Sequence, residues 1–278
     1  MHTPFTGLRV PGTLDVDAVT SYAPRLTYGQ FFSHSTAARM HGLPVPSRIP
    51  DELHVTAIQP VRAPRIPGVI AHHIRPHRAA ITLLDGVRVA DPVAAWASLA
   101  PLLSINELVV VGDALVRRKN ALATMEDLLR TTRRLRGGRG ARKLAAALAA
   151  VRPRTDSVQE SWLRIRVMAA GLPEPQVNTP VLARDGTFIG FADLCWPRHG
   201  VILEYDGEQH QTDEEQYLKD IERLEAFMAA GNRVIRANKS HGPWHRAPIA
   251  RVRAALLREL PLSGGPGGAG RGDTPGKW

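Results

Sequence analysis

Apolar and polar positions change their spacing several times along this chain, and each change marks an element. After about 30 residues of mixed pattern, a helix is predicted from Ser33. Ser33 or Ser35 can cap it, Ala37, Ala38 and Met40 give it an apolar side, and Gly42 and Pro44 end it. Strand-like pieces follow at 53–56, 69–73 and 86–90. Asp91 and Pro92 open a second helix with Val93, Trp96, Leu99 and Ala100 on one face, and two more helices are expected at 106–116 and 124–135. Another helix starts at Ser157, with Val158, Trp162, Ile165 and Ala169 as its apolar stripe. The run 188–196 then reads as a strand, 197–200 as a turn, and Val201-Ile202-Leu203 as a buried strand running into Glu204. A last helix is expected near Asp213, with Asp213 and Gln216 at capping-box spacing. It buries Tyr217, Ile221, Leu224 and Met228 and stops at Gly231-Asn232.

The predicted hairpin has a chemical consequence. With 197–200 as the loop, Trp196 faces Val201 and Asp193 falls opposite Glu204, while Asp206 shares a face with Glu204. Like charges facing across a ladder destabilise it. A divalent cation with oxygen ligands is the simplest offset, which makes Asp193 and Glu204 candidate metal ligands. The alternative for Asp193 is an exposed outer face of the hairpin. His210 is the candidate general base, because imidazole titrates near neutral pH; otherwise it is a polar loop residue. Gly207 permits the turn that brings His210 back over the acids. Asp206 is either a further ligand or the group that holds His210 in one tautomer. Glu160 stands three residues after Ser157, so a capping box accounts for it without any catalytic role.

Composition sharpens the choice of partner. The 278 residues include 36 Lys and Arg against 26 Asp and Glu, a net charge of +10. That balance favours a polyanion, nucleic acid above all, although a generally arginine-rich proteome would give the same excess. Arg130, Arg133, Arg134, Arg136, Arg139, Arg142 and Lys143 form a dense run around Gly137 and Gly138. Such a run reads either as phosphate contact or as a solvated linker between helices. The single cysteine, Cys195, excludes an internal disulfide framework and reads as a small core residue. His72, His73 and His77 lack the paired spacing of a zinc site, and adjacent histidines on a strand point to opposite faces, so no metal is expected there. No apolar run approaches a membrane span, and the first residues lack a signal-peptide pattern, so the expectation is a cytoplasmic protein. The expected organisation is an unassigned segment at 1–30, a mixed α/β and helical domain at 31–150, a second α/β domain at 154–260 and a disordered Gly- and Pro-rich tail at 261–278.

The spacing from Asp193 onward resembles a known pattern. An Asp on one strand and Glu-x-acid on the next resembles the PD-(D/E)xK nuclease core. More narrowly, Glu204-Tyr205-Asp206-Gly207 with His210, then Asp220 and Arg223, then Gly231 with Val234-Ile235-Arg236, resembles the bacterial endonuclease-like domains related to very-short-patch repair endonucleases. The resemblance covers roughly 154–260. It implies an α/β restriction-endonuclease-like domain with a mixed sheet flanked by helices, Mg²⁺ or Mn²⁺ as cofactor, and DNA as substrate. It also implies that Glu160 adds an acid to the metal site and that Arg223, with Arg236 among other cations, can contact phosphate. The broad pattern carries a lysine where this chain has Asp206. Ser33 to Pro44 and Val89 through Ala100 resemble the region that precedes such domains in some bacterial proteins, of the AbiEi antitoxin type. That implies a toxin or defence-system partner, and a non-catalytic DNA-binding regulator as the alternative to an enzyme. Oligomeric state does not follow from any of these features.

Overall fold

The strand-like pieces of the first half pair edge to edge into one sheet, because the backbone N–H and C=O groups of a buried strand need partners. A computed structural model describes residues 2–5, 8–10, 17–207, 214–242 and 245–257. In chain order they form β1 (His2–Phe5), β2 (Leu8–Val10), α1 (Ala18–Tyr22), β3 (Gln30–Phe32), α2 (His34–Met40), β4 (Leu53–Ile58) and β5 (Val69–Ile74). Next come β6 (Ile81–Leu84), β7 (Val87–Ala90), α3 (Pro92–Ser98), α4 (Ile105–Leu115), α5 (Met125–Arg134), α6 (Ala141–Ala150) and α7 (Val158–Ala169). The remainder is β8 (Gln176–Leu182), β9 (Phe188–Trp196), β10 (Val201–Tyr205), α8 (Glu214–Ala229), β11 (Arg233–Ala237) and α9 (Arg246–Leu256). The chain is α/β, and no helix among the described residues is long and apolar enough to cross a membrane.

Two compact units divide the chain, 1–169 and 170–278. The boundary expected at 151–155 lies before α7, whereas the division falls after it. In the first unit the order β5-β4-β3-β7-β6 makes a mixed five-stranded sheet, with β4 parallel to β5 and β3 parallel to β7. Helices α1 to α6 supply most of the rest of its core, with Tyr22 of α1 among its fully buried side chains. Asp91 caps α3 by accepting from the Ala94 N–H, and capping boxes at Ser104/Glu107 and Thr124/Asp127 start α4 and α5. Trp96 is fully buried, with its indole N–H donated to Leu108 O at 2.8 Å. Gly112 on α4 lets the chain pass close by: a Cβ there would lie 2.5 Å from Val151 Cγ2. Gly112→Ala is expected to cost about 1–3 kcal/mol of stability by overpacking. Thermal unfolding checks this, and an unchanged midpoint would contradict the close approach.

The buried face of α7 differs from the expected stripe. Glu160, Leu163, Arg164 and Val167 are buried, while Val158 is exposed and Trp162 and Ile165 are half-buried. The reason is electrostatic. Asp113 on α4 is fully buried and pairs with Arg164 at 2.8 Å, which turns a charged position of α7 inward.

In the second unit the order β11-β10-β9-β8 forms a mixed four-stranded sheet: β8, β9 and β10 run as an antiparallel meander, and β11 lies parallel to β10. Helix α8 packs on β9 and β11, and α9 on β10 and β11. The core contains Val181, Ala192, Cys195, Ile202 and Phe227. Phe227 takes the buried place expected for Met228, which is 52% exposed. The expected cap at Asp213 lies outside the described residues, as does the tail from 258.

Candidate functional site

The hairpin register is the one the sequence predicts. Trp196 pairs with Val201, Cys195 with Ile202 and Leu194 with Leu203, with a short 3-10 turn at Pro197–His199 and Gly200 at φ 57. One step further, the Asp193 N–H donates to Glu204 Oε1 at 2.9 Å, and the Tyr205 N–H donates to Asp193 Oδ2 at 2.8 Å. The two acids therefore hold each other's strands together through backbone donors. Glu204 is only 4% exposed.

A guanidinium supplies the opposite charge. Arg223 of α8 donates Nη1 to Glu204 Oε2 at 2.9 Å and to Phe191 O at 3.2 Å, and its Nε lies 3.7 Å from Asp220. The like charges for which a cation was the simplest offset are thus relieved by backbone N–H groups and Arg223. Gly190 on β9 makes room for this arm, since a Cβ there would fall 2.9 Å from Arg223 Cδ. Asp206, just past the end of β10, pairs with Arg236 of β11. That partner belongs to the strand parallel to β10.

Cys195, on β9, lies near Glu204. Burial, and then the Glu204 carboxylate, push its thiol up to about 11. At about pH 8 the thiol is therefore protonated and unreactive. Iodoacetamide is expected to label Cys195 only after unfolding, as read by mass spectrometry; rapid labelling of the native chain would contradict the burial.

Glu160 is in the first unit, where its carboxylate accepts the Asp156 N–H at 2.9 Å and its own N–H donates to Ser157 Oγ at 3.1 Å. That is a variant of the expected capping box, displaced by one residue on the carboxylate side. His210 lies outside the described residues. Arg133, Arg134, Arg136, Arg139, Arg142 and Lys143 are exposed in the first unit, at the end of α5, the connection and the start of α6. Lys143 donates Nζ to Leu103 O at 2.9 Å. Arg134 and Arg139 line a cavity of about 440 Å³ together with His34, His54 and His72.

Those three histidines are the grouping that sequence reasoning missed. Their ligand nitrogens lie within 4.8 Å of one another. His72 does turn away from His73, as strand alternation requires, but its neighbours come from α2 and β4 rather than from the adjacent residues. One histidine per element leaves no fixed spacing to recognise.

No protein-family model matches this chain, and comparison with curated proteins returns no match.

Proposed function

We propose that the second unit works as a divalent-metal-dependent endonuclease-like module acting on DNA, with Asp193 and Glu204 as the metal-holding pair. The observation that carries this reading is the pair itself: two carboxylates, opposed on adjacent strands, one of them nearly fully buried at the edge of an apolar run. The order of elements agrees with it. Three antiparallel strands, a helix and a strand parallel to the third are what the PD-(D/E)xK resemblance leads one to expect of the second unit. The donor set also fits the metal. Mg²⁺ takes hard oxygen ligands and is commonly held by one or two carboxylates plus water and substrate phosphate. When bound, Mg²⁺ or Mn²⁺ supplies Lewis acidity and lowers the pKa of a coordinated water.

The chain's own groups do the rest. Asp193 and Glu204 would hold the cation. Arg223 releases Glu204 and turns to a phosphate oxygen, where its planar fork suits the charge. Arg236 offers a second cation beside Asp206. Since Asp206 cannot supply the positive charge of the usual lysine, proton acceptance is assigned to His210. The exposed arginines of the first unit add sequence-independent attraction to the DNA backbone.

A second reading has its own support. Glu204 is already engaged by Arg223 and the Asp193 N–H, which favours a non-catalytic DNA-binding regulator, partnered by a toxin or defence-system component. A panel of nicked, mismatched and supercoiled DNA with Mg²⁺ or Mn²⁺ separates the two. Cutting by the native chain that Asp193→Ala and Glu204→Ala both abolish supports the nuclease. Salt-sensitive binding without cutting, unchanged in both variants, supports the regulator.

A further inference from the structure

The β4–β5 part of the first unit's sheet carries a cluster that the nuclease reading does not use. His54 and Thr56 alternate onto one face of β4, and the parallel register sets Thr56 beside His72 of β5. His34, the first residue of α2, closes over them. His54 Nδ1 and His72 Nε2 are 2.9 Å apart, and the His34 ring stacks on His72 with centroids at 3.8 Å. Among the described residues, no other trio of His, Cys, Asp or Glu brings its ligand atoms together in this way.

Two local costs converge at the same point. His34 adopts φ 51, in the left-handed region that disfavours a residue with a side chain. Ser33 occupies the cap position of α2 but makes no side-chain capping bond. Its hydroxyl instead lies 3.0 Å from His34 Nδ1 and accepts from Thr56 Oγ1 at 2.7 Å. Strain and a forfeited cap at one spot point to a group held for function.

The cavity over the histidines has a distinct chemistry. Among the described residues, no carboxylate lines it. An all-imidazole donor set suits zinc-class ions rather than Mg²⁺ or Ca²⁺. Burial holds the imidazoles neutral, with His34 down to about 2, His72 down to about 4 and His54 lowered as well, so their lone pairs are available. Arg78 also lines the cavity, and its buried Nε has no hydrogen-bond partner among the described residues.

We propose that His34, His54 and His72 form a site for a zinc-class divalent ion, with an open coordination position facing the cavity and an oxyanion bound there beside Arg78. Three protein ligands and an open position are the arrangement of zinc sites that take an exogenous ligand. Tetrahedral zinc–nitrogen geometry places nitrogens about 3.3–3.4 Å apart, so His54 and His72 separate by roughly half an ångström on binding. In the ligating tautomer His34 gives its Nδ1–H to Ser33 Oγ, 3.0 Å away, and keeps Nε2 for the ion. This site lies wholly in the first unit, and it stands or falls independently of the nuclease reading.

Co²⁺ titration of the metal-stripped full-length chain tests it. One equivalent is expected to develop the strong visible absorption of a four-coordinate ion, which oxygen-ligated six-coordinate Co²⁺ does not give, and Zn²⁺ is expected to bleach it. His54→Ala and His72→Ala should each weaken uptake about a hundredfold or more, while His77→Ala, at an exposed position outside the cavity lining, leaves it unchanged. Inorganic phosphate should alter the spectrum, and Arg78→Met should remove that response. No four-coordinate signal from the wild-type chain would overturn the site without reference to any variant. A signal that survives His54→Ala would do the same, and a spectrum indifferent to phosphate would overturn the oxyanion assignment.

Discussion

Arg164→Met is expected to lower the stability of the first unit by about 3–5 kcal/mol, a large share of the roughly 5–15 kcal/mol that holds a domain folded. Asp113 is fully buried and Arg164 is 3% exposed. Asp113 Oδ2 accepts from Arg164 Nη2 at 2.8 Å, and Oδ1 accepts from the Arg152 N–H at 2.8 Å. Arg164 also donates to Ala150 O at 3.0 Å, so the pair ties α4, the end of α6 and α7 together. Burial pushes the Asp113 carboxyl up, and the Arg164 guanidinium pulls it back down. Methionine fills most of the arginine's volume but leaves the carboxylate in the core without its counter-charge. Pairing the change with Asp113→Leu should recover most of the loss, because an apolar pair of similar volume avoids the desolvation cost. Urea denaturation measures both variants. A single variant within about 1 kcal/mol of wild type would mean that the pair is hydrated in solution.

Glu204→Gln is expected to reduce metal-dependent cleavage on the order of 10³-fold, the scale of losing a group that stabilises charge in the transition state. The amide keeps the shape and can still accept the Asp193 N–H, so the hairpin is retained and circular dichroism should be unchanged. What disappears is the negative charge needed to hold a cation. Arg223 then loses the Glu204 charge while keeping Phe191 O and Asp220, so DNA affinity should hold or rise while turnover falls. A fall in affinity and turnover together would point instead to a damaged fold.

These two sites differ in how far the chain announces them. The Asp193–Glu204 juxtaposition follows from a four-residue turn and a period of two, both local, and the structure continues the Leu194–Leu203 pairing into hydrogen bonds from backbone N–H groups to the two acids. The relief of their repulsion does not follow, because Arg223 approaches from α8, some twenty residues away in sequence, through the space left by Gly190. The face of α7 departs from its apolar spacing for a related reason: the spacing favours Val158 and Trp162, while a charge pair with Asp113 decides the orientation. Short or weakly patterned elements also escaped. Three-residue β3 cannot show alternation, β6 is a half-exposed edge strand, and α6 is mostly alanine, with Leu144 and Ala147 as its only buried residues. The histidine cluster is the extreme case, with His34, His54 and His72 drawn from three elements that only the tertiary fold brings together.

The central claim concerns the acid pair, and nicking of supercoiled plasmid by the purified chain tests it most directly, with Mn²⁺ and with chelator, for wild type and Asp193→Asn. Nicking that requires Mn²⁺ and disappears in a folded Asp193→Asn chain is the predicted result. Nicking at equal rates in both proteins, or none from a wild-type chain that binds the same DNA, would contradict it.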